Sequence, residues 1–396
     1  MVGDEVINNG VIIVQNNRIK TVGSSATKIP KGAKIVDVNG KTIIPGLIDV
    51  HAHMGLEWDG LSSEQNWHYL ANLAFGVTTT HDPSRDTEMV FANSELQKSG
   101  KILAPRIYST GTILYGAVTG FTAEVNSLED AKRALRRIKA FGGFSVKSYN
   151  QPRREQRQQI LTAAREMDML VYPEGGSTLQ HNLNMLVDGH TGIEHSIPVS
   201  PLYKDALKLY GESGVGYTPT LIVSYGGIWG ENYWYSKMKV FEHQHLQQFF
   251  PQELLDQRRR RMKVEENDWN HIENAKAAKA LSDAGVKVNN GAHGQLEGLG
   301  VHWEMWMFVQ GGMSPLEALK ASTLNGAEYL GMGKDLGSIQ EGKLADLVVL
   351  TKNPLNDIQN SDSVEMVMLN GKLYNATTMN EIVTGSAKRL PHWWEQ

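Results

Sequence analysis

The sequence of 396 residues predicts an α/β protein: a (β/α)8 barrel (a TIM barrel) with a small composite β-sandwich built from both chain ends. Apolar segments alternate with helical patterns through the middle of the chain, such as those over 128–141 and 153–168, which is typical of parallel βαβ units. The two ends instead carry short strand patterns with Asn-Gly turn signals at 39–40 and 370–371.

Eight apolar segments are predicted to be the barrel strands, because eight parallel units in about 250 residues are typical of this architecture. They are 44–50, 77–81, 106–110, 144–149, 169–173, 192–195, 217–222 and 286–291. The alternative is an open doubly wound sheet, but no Gly-x-Gly-x-x-Gly motif follows an early strand to support it.

The domain boundaries follow from these patterns. The barrel is predicted to occupy 44–340, and the sandwich 1–43 and 341–385. Residues 223–285 are too long for one crossover and predict a lid-like insertion over the barrel mouth, in which arginines 258–261 are interpreted as a solvated helix face.

Composition restricts the chemistry and the partners. Without cysteine the chain has no disulfide, zinc ribbon, iron–sulfur cluster or cysteine nucleophile, so nitrogen and oxygen atoms must hold any metal, and there are 13 histidines. The net charge of −4 gives no electrostatic reason to expect a nucleic acid or an anionic membrane as partner. Apolar runs fall short of the roughly 18 residues of a membrane span, and no signal-peptide pattern opens the chain. A cytoplasmic location is expected for the chain as it stands, and export if it was cut from a longer precursor.

His51 and His53 end the first predicted barrel strand in a His-x-His pattern. The two-residue period of a strand puts both imidazoles on one face, and the carboxyl end of a barrel strand faces the active-site mouth. Imidazole is a good ligand for zinc and similar metals, so the pair predicts half of a metal site, with two solvent-facing histidines as the alternative. Lys147 and His195 end the fourth and sixth predicted strands. Lys147 is a salt-bridge residue unless it is modified to an anion, and His195 has Glu194 as an alternative structural partner.

The strand ends that carry His51, His53, Lys147 and His195, together with further segments of the chain, resemble the amidohydrolase superfamily of metal-dependent hydrolases. Within it, the chain is similar to the amidohydrolase domain of Tol-type β-propeller fusion proteins, so an N-terminal β-propeller is expected in a longer parent protein. The resemblance also implies a further strand of the small β domain before the first residue, so a fragment or a shortened domain is expected. The segments that carry the likeness are 45–53, 173–176, 181–183, 192–195, 291–295, 302–306, 314–327 and 336–350.

The resemblance implies hydrolysis of a C–N bond other than a main-chain peptide bond, in an amide, a peptide-like or a cyclic amide substrate, by attack of a metal-bound hydroxide. His51 and His53 would bind one divalent ion, a carboxylated Lys147 would bridge to a second ion, and His195 would bind that second ion. Zinc is the expected metal, with manganese and iron as alternatives.

Two positions depart from the superfamily pattern. The fifth strand usually ends in a histidine ligand, and Glu174 stands there instead. The eighth strand usually supplies an aspartate, and His293 is its expected substitute as ligand or as general base. The two exchanges cancel in formal charge, which is consistent with a retained site. His293 and His195 are therefore the expected catalytic residues, and Glu174 and His293 complete the expected ligand set.

Further polar residues are expected to contact the substrate, with capping, hydrogen bonding or packing as the alternative for each. They are His181, His190, His302, Glu304 and Tyr225. The expected partner is a small-molecule substrate, and a homo-oligomer is left open. Two other functions also stay open: a non-hydrolytic reaction (isomerisation, decarboxylation or redox chemistry) at a histidine-rich metal site, and a binding protein with a decayed site.

Overall fold

The structure is a computed structural model that describes residues 5–55, 61–84, 86–120, 122–259 and 261–396. The first four residues, on which the expectation of a shortened domain rests, lie outside the described residues. So does Arg260, within the run of arginines that the sequence places on a helix face.

The strands are short. They are β1 (Gly10–Gln15), β2 (Arg18–Ser24), β3 (Thr42–Pro45), β4 (Leu47–Asp49), β5 (Val77–Asp82), β6 (Arg106–Ser109), β7 (Ile113–Tyr115), β8 (Thr122–Glu124), β9 (Ser145–Ser148), β10 (Leu170–Pro173), β11 (Gly192–Glu194), β12 (Gly216–Thr218), β13 (Leu347–Leu350), β14 (Val364–Leu369) and β15 (Lys372–Asn375).

The helices fall mostly between consecutive barrel strands. They are α1 (Trp67–Ala74), α2 (Thr87–Lys98), α3 (Leu128–Ala140), α4 (Arg154–Met167), α5 (Leu179–Asp188), α6 (Lys204–Ser213), α7 (Gly230–Lys237), α8 (Gln244–Phe249), α9 (Gln252–Gln257), α10 (His271–Asp283), α11 (Leu299–Gln310), α12 (Pro315–Ala321) and α13 (Leu324–Tyr329).

Parallel pairing joins most neighbouring barrel strands in chain order. β4, β5 and β6 form one sheet, β9 pairs with β10, and β11 pairs with β12. Single bridges join Glu174 to Glu194, between β10 and β11, and Tyr217 to Val288, which lies in the eighth predicted strand. The ring returns to its start where the Val50 amide donates to the Asn290 carbonyl at 3.1 Å. This is the α/β barrel that the sequence predicts.

Three predicted strands are shorter than expected, for local reasons. The segment 44–50 is split at Gly46, because residues before it pair with β13 and residues after it pair with β5; a side chain there would overlap Thr78. The segment 217–222 ends at Thr218, since Thr220 adopts a positive φ of 46° and a 3-10 turn follows. The segment 286–291 contributes its single bridge and no longer ladder.

Both ends of the chain meet in one β region. β3, β13, β14 and β15 form an antiparallel sheet, so a strand from residues before the barrel lies beside strands from after it. The β1–β2 hairpin joins this region through a bridge between Arg18 and Leu344. Buried Ile19 and Leu347 pack in a shared apolar cluster. The hairpin expected over 33–44 does not form, because residues 33–38 are unpaired and largely exposed.

Aromatic residues of the insertion pack against α11. Trp234 meets Trp306 with ring centroids 5.0 Å apart, and Tyr235 meets Trp303 at 5.1 Å. This half of the insertion therefore braces the barrel wall, and its first residues reach the barrel mouth. No helix in the described ranges combines the length and apolar character needed to cross a membrane.

Asp346 joins the β region to the barrel, and its loss tests that junction. Its carboxylate accepts from Arg106 of β6 at 2.8 and 3.2 Å and from the Asn370 amide at 2.7 Å. Asp346→Ala leaves the largely buried guanidinium of Arg106 without its anionic partner, so we expect the free energy of unfolding to fall by about 3 kcal/mol in urea titrations.

The matched control is Asp335→Ala, which removes the half-exposed partner of Arg18 at 2.8 Å. This change is expected to cost less than about 1 kcal/mol. Equal losses in the two variants would contradict a special role for the buried junction.

Candidate metal centre

His51 lies just past β4 with one ring nitrogen held and the other free. Its Nδ1 is 2.5 Å from Oε2 of Glu194. Its Nε2 is buried and has no hydrogen-bond partner among the described residues. Burial, together with the charge of Lys147, holds the pKa of His51 well below its ordinary value, so the ring is a neutral imidazole. That is the form in which histidine binds a metal ion.

His53 lies beside His51, at the mouth of the barrel. Its ring centroid is 5.0 Å from that of His51 and 4.6 Å from that of His293. Its Nδ1 is 3.3 Å from Oδ1 of Asp82, at the end of β5, and 3.3 Å from Oγ of Ser84. The acidic partner orients the ring in the same way that Glu194 orients His51.

Glu174 connects three of the expected site residues. Its carboxylate is 2.7 Å from Nζ of Lys147 and 2.9 Å from Nε2 of His195, and it accepts from the Tyr225 hydroxyl at 2.7 Å. Burial alone would raise its pKa, but Lys147 and the hydrogen-bonded ring of His195 hold the pKa well below its ordinary value. The residue that replaces the usual strand-five histidine is therefore an anion that faces the centre.

His195 and His293 occupy strained backbone positions. Their φ angles are 73° and 60°, in the left-handed region, which costs a side chain with a Cβ of order 1–3 kcal/mol. Short backbone hydrogen bonds hold both: the His195 amide donates to the Thr218 carbonyl at 2.7 Å, and the His293 amide to the His51 carbonyl at 2.7 Å. Strain of this kind turns both imidazoles towards the barrel axis.

The ring nitrogens of His293 and His195 differ in what they contact. Nδ1 of His293 is buried without a hydrogen-bond partner in the described part of the chain. Burial and the nearby His53 lower the pKa of His293 to about 2. Nδ1 of His195 lies 2.7 Å from Oγ1 of Thr220, which leaves Nε2 directed at Glu174.

These residues fit a divalent metal ion. Nitrogen atoms of His51, His195 and His293 lie within 4.8 Å of one another. Two of the three rings have a buried nitrogen without a partner among the residues described. A buried polar atom of this kind costs free energy unless it binds a ligand such as a metal ion. His53, Lys147 and Glu174 border the cluster. Three imidazoles and a carboxylate are a donor set suited to zinc.

A cavity of about 440 Å³ opens above the cluster. His53, Lys147, Glu174, His195 and His293 line its base. Its walls come from Tyr225 and from residues around β7, β8 and the end of β9: Ile113, Tyr115, Thr119, Gly120, Thr122 and Tyr149. The apolar and aromatic wall, with hydroxyl groups between, is typical of a site for a small molecule.

Tyr225 is the one residue of the five expected substrate contacts that the structure places among the described cavity residues. His181 lies 3.5 Å from a guanidinium nitrogen of Arg157, and His190 lies 3.0 Å from the Met185 carbonyl. Neither lines the described cavity, so their role as substrate contacts stays a prediction.

His302 and Glu304 likewise lie outside the described cavity lining. Both lie on α11, which is buried on nearly every side, so neither side chain reaches the cavity. Nε2 of His302 lies 2.9 Å from the Phe75 carbonyl oxygen, and its Nδ1 lies 3.0 Å from the Ser361 hydroxyl. Glu304 accepts from the amides of Leu221 and Ile222 at 2.8 and 3.0 Å, and burial raises its pKa to about 8.

Several residues that support the metal centre were missed in the sequence. Asp49 accepts from the amides of His51 and Ala292, each at 3.1 Å, and ties the first strand to the end of the eighth. An aspartate within an apolar strand, two residues before a histidine ligand, is a sequence signal for this role. Thr220 and Asp82 lack such a signal because their partners come from other strands.

Comparison with known proteins supplies the family. The model of the amidohydrolase family matches residues 42–374, and the chain belongs to this family. It is 44% identical over 69 residues to the ochratoxinase of Aspergillus niger, a match that covers 16% of this chain and 14% of that protein. It is 31% identical over 126 residues to the dihydroorotase of Aquifex aeolicus, covering 30% and 29%. The chain thus matches about a seventh and under a third of the length of these two curated relatives.

Solved structures show the fold over nearly the whole chain. The crystal structure of A. niger ochratoxinase aligns with a TM-score of 0.71 at 21% identity, covering 94% of this chain and 93% of that one. A Xaa-Pro dipeptidase with bound methionine in its active site aligns with a TM-score of 0.70 at 21% identity, covering 92% and 94%. The predicted family is confirmed; the closer likeness to Tol-type fusion proteins stays a prediction.

The buried position of His302 predicts a pH dependence of stability. Burial lowers its pKa from 6.5 to about 4, so the unfolded chain takes up a proton between these values and the folded chain does not. Stability should therefore fall as pH drops from 6.5 towards 4, by roughly 2–3 kcal/mol from this group.

Urea titrations at pH 7.5 and 4.5 measure this, with His302→Gln as the comparison. The variant is expected to be less stable at pH 7.5 and to lose less on acidification than the parent chain. An unchanged difference between the two pH values would contradict the assignment.

Proposed function

We propose that this protein is a metal-dependent hydrolase of a C–N bond in an amide, a peptide-like or a cyclic amide substrate of small size. The observation that carries the proposal is the group of imidazoles of His51, His195 and His293, whose nitrogen atoms lie within 4.8 Å of one another. His195 and His293 also line the cavity. Membership of the amidohydrolase family and the dipeptidase among the structural relatives support the choice of bond.

The ligand set of this proposal is His51, His53, Lys147, Glu174, His195 and His293. It holds one or two divalent ions, with zinc first and manganese or iron as alternatives. Such an ion supplies a Lewis acid that polarises a carbonyl group and lowers the pKa of water towards neutrality. As an ammonium group Lys147 is neutralised by Glu174 at 2.7 Å; as a carbamate it would join the anionic ligands instead.

The chain's own residues provide orientation and proton transfer. Glu194 and Thr220 fix the rings of His51 and His195 through Nδ1. Where it does not bind the metal, His293 is the proposed general base and acid, because its Nδ1 has no hydrogen-bond partner within the described site. Tyr225 stacks on His195 with centroids 4.4 Å apart and donates to Glu174, so its half-exposed ring is positioned to contact the substrate.

Finer features of the chain are proposed on the same basis. The sheet of β3, β13, β14 and β15 with the β1–β2 hairpin supports a composite β-sandwich from 1–43 and 341–385, beside a barrel from 44–340. A lid role for 223–285 is supported by Tyr225 at the cavity wall. A homo-oligomer, an N-terminal β-propeller and the cellular location stay predictions from the sequence.

Metal content and hydrolysis test the function together. We expect the purified protein to contain about one or two equivalents of zinc by mass spectrometry and to hydrolyse a member of a panel of acyl-amino acids, dipeptides and lactams. His51→Ala should lower both metal content and kcat/KM, the latter by at least about 100-fold, because it removes a ligand held in place by Glu194.

His243→Ala is the control, since this half-buried histidine faces Asp362 at 3.6 Å and lies outside the described cavity lining. It should retain metal and activity. A metal-free parent protein, or full activity in His51→Ala, would contradict the proposed function.

His293→Ala separates the two roles considered for this residue. As the general base, His293 should be dispensable for metal content while kcat falls by roughly 100-fold or more. Metal analysis and steady-state kinetics on the same sample check this. Loss of the metal in His293→Ala would instead assign it as a ligand.

A further inference from the structure

A buried chain of hydrogen bonds runs behind His51, away from the cavity. The hydroxyl of Tyr329, the last residue of α13, donates to Oε1 of Glu194 at 2.6 Å. The other carboxylate oxygen, Oε2, is 2.5 Å from Nδ1 of His51. This series of hydrogen bonds ends at the His51 ring, whose Nε2 faces the imidazole cluster without a partner among the residues described. The three side chains are 7%, 1% and 0% exposed.

The backbone is shaped to let Tyr329 reach Glu194. Gly192 and Gly216 lie opposite each other in the paired strands β11 and β12. A Cβ atom at Gly192 would overlap the Tyr329 hydroxyl, and one at Gly216 would lie 2.5 Å from the ring. Two adjacent glycines thus form a slot between the strands, and the phenol passes through it to the carboxylate. This also explains the glycine two residues before Glu194.

We propose that Tyr329 is a positioning residue of the metal centre. It holds Glu194 so that the carboxylate accepts the Nδ1 proton of His51, which keeps the lone pair on Nε2 directed at the metal. The inference rests on the proposed function, because it assumes that His51 binds the ion. A carboxylate with both oxygens engaged has one orientation, and the orientation of a ligand histidine sets its affinity for the metal.

Tyr172 provides a matched control. Its hydroxyl donates to the Tyr329 carbonyl at 3.0 Å, and the two rings pack 4.9 Å apart in the same apolar cluster. Tyr172→Phe and Tyr329→Phe therefore remove the same group from the same surroundings. Of the two hydroxyl groups, that of Tyr329 donates to Glu194, whereas that of Tyr172 donates to a backbone carbonyl.

The experiment titrates zinc into the metal-depleted full chain in the presence of a competing chelator. Tyr329→Phe should raise the dissociation constant by about tenfold or more, and Tyr172→Phe should leave it within about threefold. A second readout is the 15N spectrum of labelled histidines in the metal-free protein, where the His51 signals should shift towards a mixture of tautomers in Tyr329→Phe.

Glu194→Gln and the double variant Glu194→Gln/Tyr329→Phe distinguish a specific effect through Glu194 from a general loss of folding. If Tyr329 acts through Glu194, the double variant should bind zinc no more weakly than Glu194→Gln alone, since the effects of coupled residues do not add. Additive losses, or equal zinc affinity in Tyr329→Phe and the parent chain, would overturn the inference while leaving the proposed function intact. A parent chain that binds neither zinc nor manganese nor iron would overturn both.

Discussion

The site depends on one buried carboxylate, that of Asp49, which holds the first and eighth parts of the barrel together. It accepts from the amides of His51 and Ala292 at 3.1 Å each, and burial raises its pKa to about 7. Close beside it, the His293 amide donates to the His51 carbonyl at 2.7 Å. Because the eighth segment forms no extended ladder, these few contacts decide where His51 and His293 stand relative to each other. The remaining ligands are then added from strands whose pairing is regular.

The centre is also balanced in charge. Neutral imidazoles come from three strand ends, and the one strong anion among the described ligands, Glu174, faces the one ammonium group, Lys147. Desolvation favours neutral histidines, which is the state that a metal needs. The aspartate usual at strand eight would have placed a second anion here. Its replacement by His293, together with Glu174 in place of a histidine, keeps the total formal charge unchanged.

Much of the fold and about half of the site follow from the sequence. Strong local patterns, such as the His-x-His pair at 51–53 and the alternation of apolar and helical segments, require no knowledge of distant contacts. Where a residue lies relative to the cavity depends on contacts in the third dimension. His302 and Glu304 follow strand eight closely, but the turn into α11 sends them into the barrel wall instead of the cavity. Tyr329 is invisible in the sequence because 135 residues separate it from Glu194.

The split of one strand at Gly46 has a consequence for how the molecule can be divided. Residues 42–45 belong to the terminal β region and residues 47–49 to the barrel, so one continuous extended segment serves both. Five residues after Pro45, the same segment supplies the carbonyl of Val50, which accepts from His81, and then His51 itself. The two parts of the molecule are therefore not separable modules. A barrel excised from its β region would lose the anchor of its first strand, the strand that leads directly to His51.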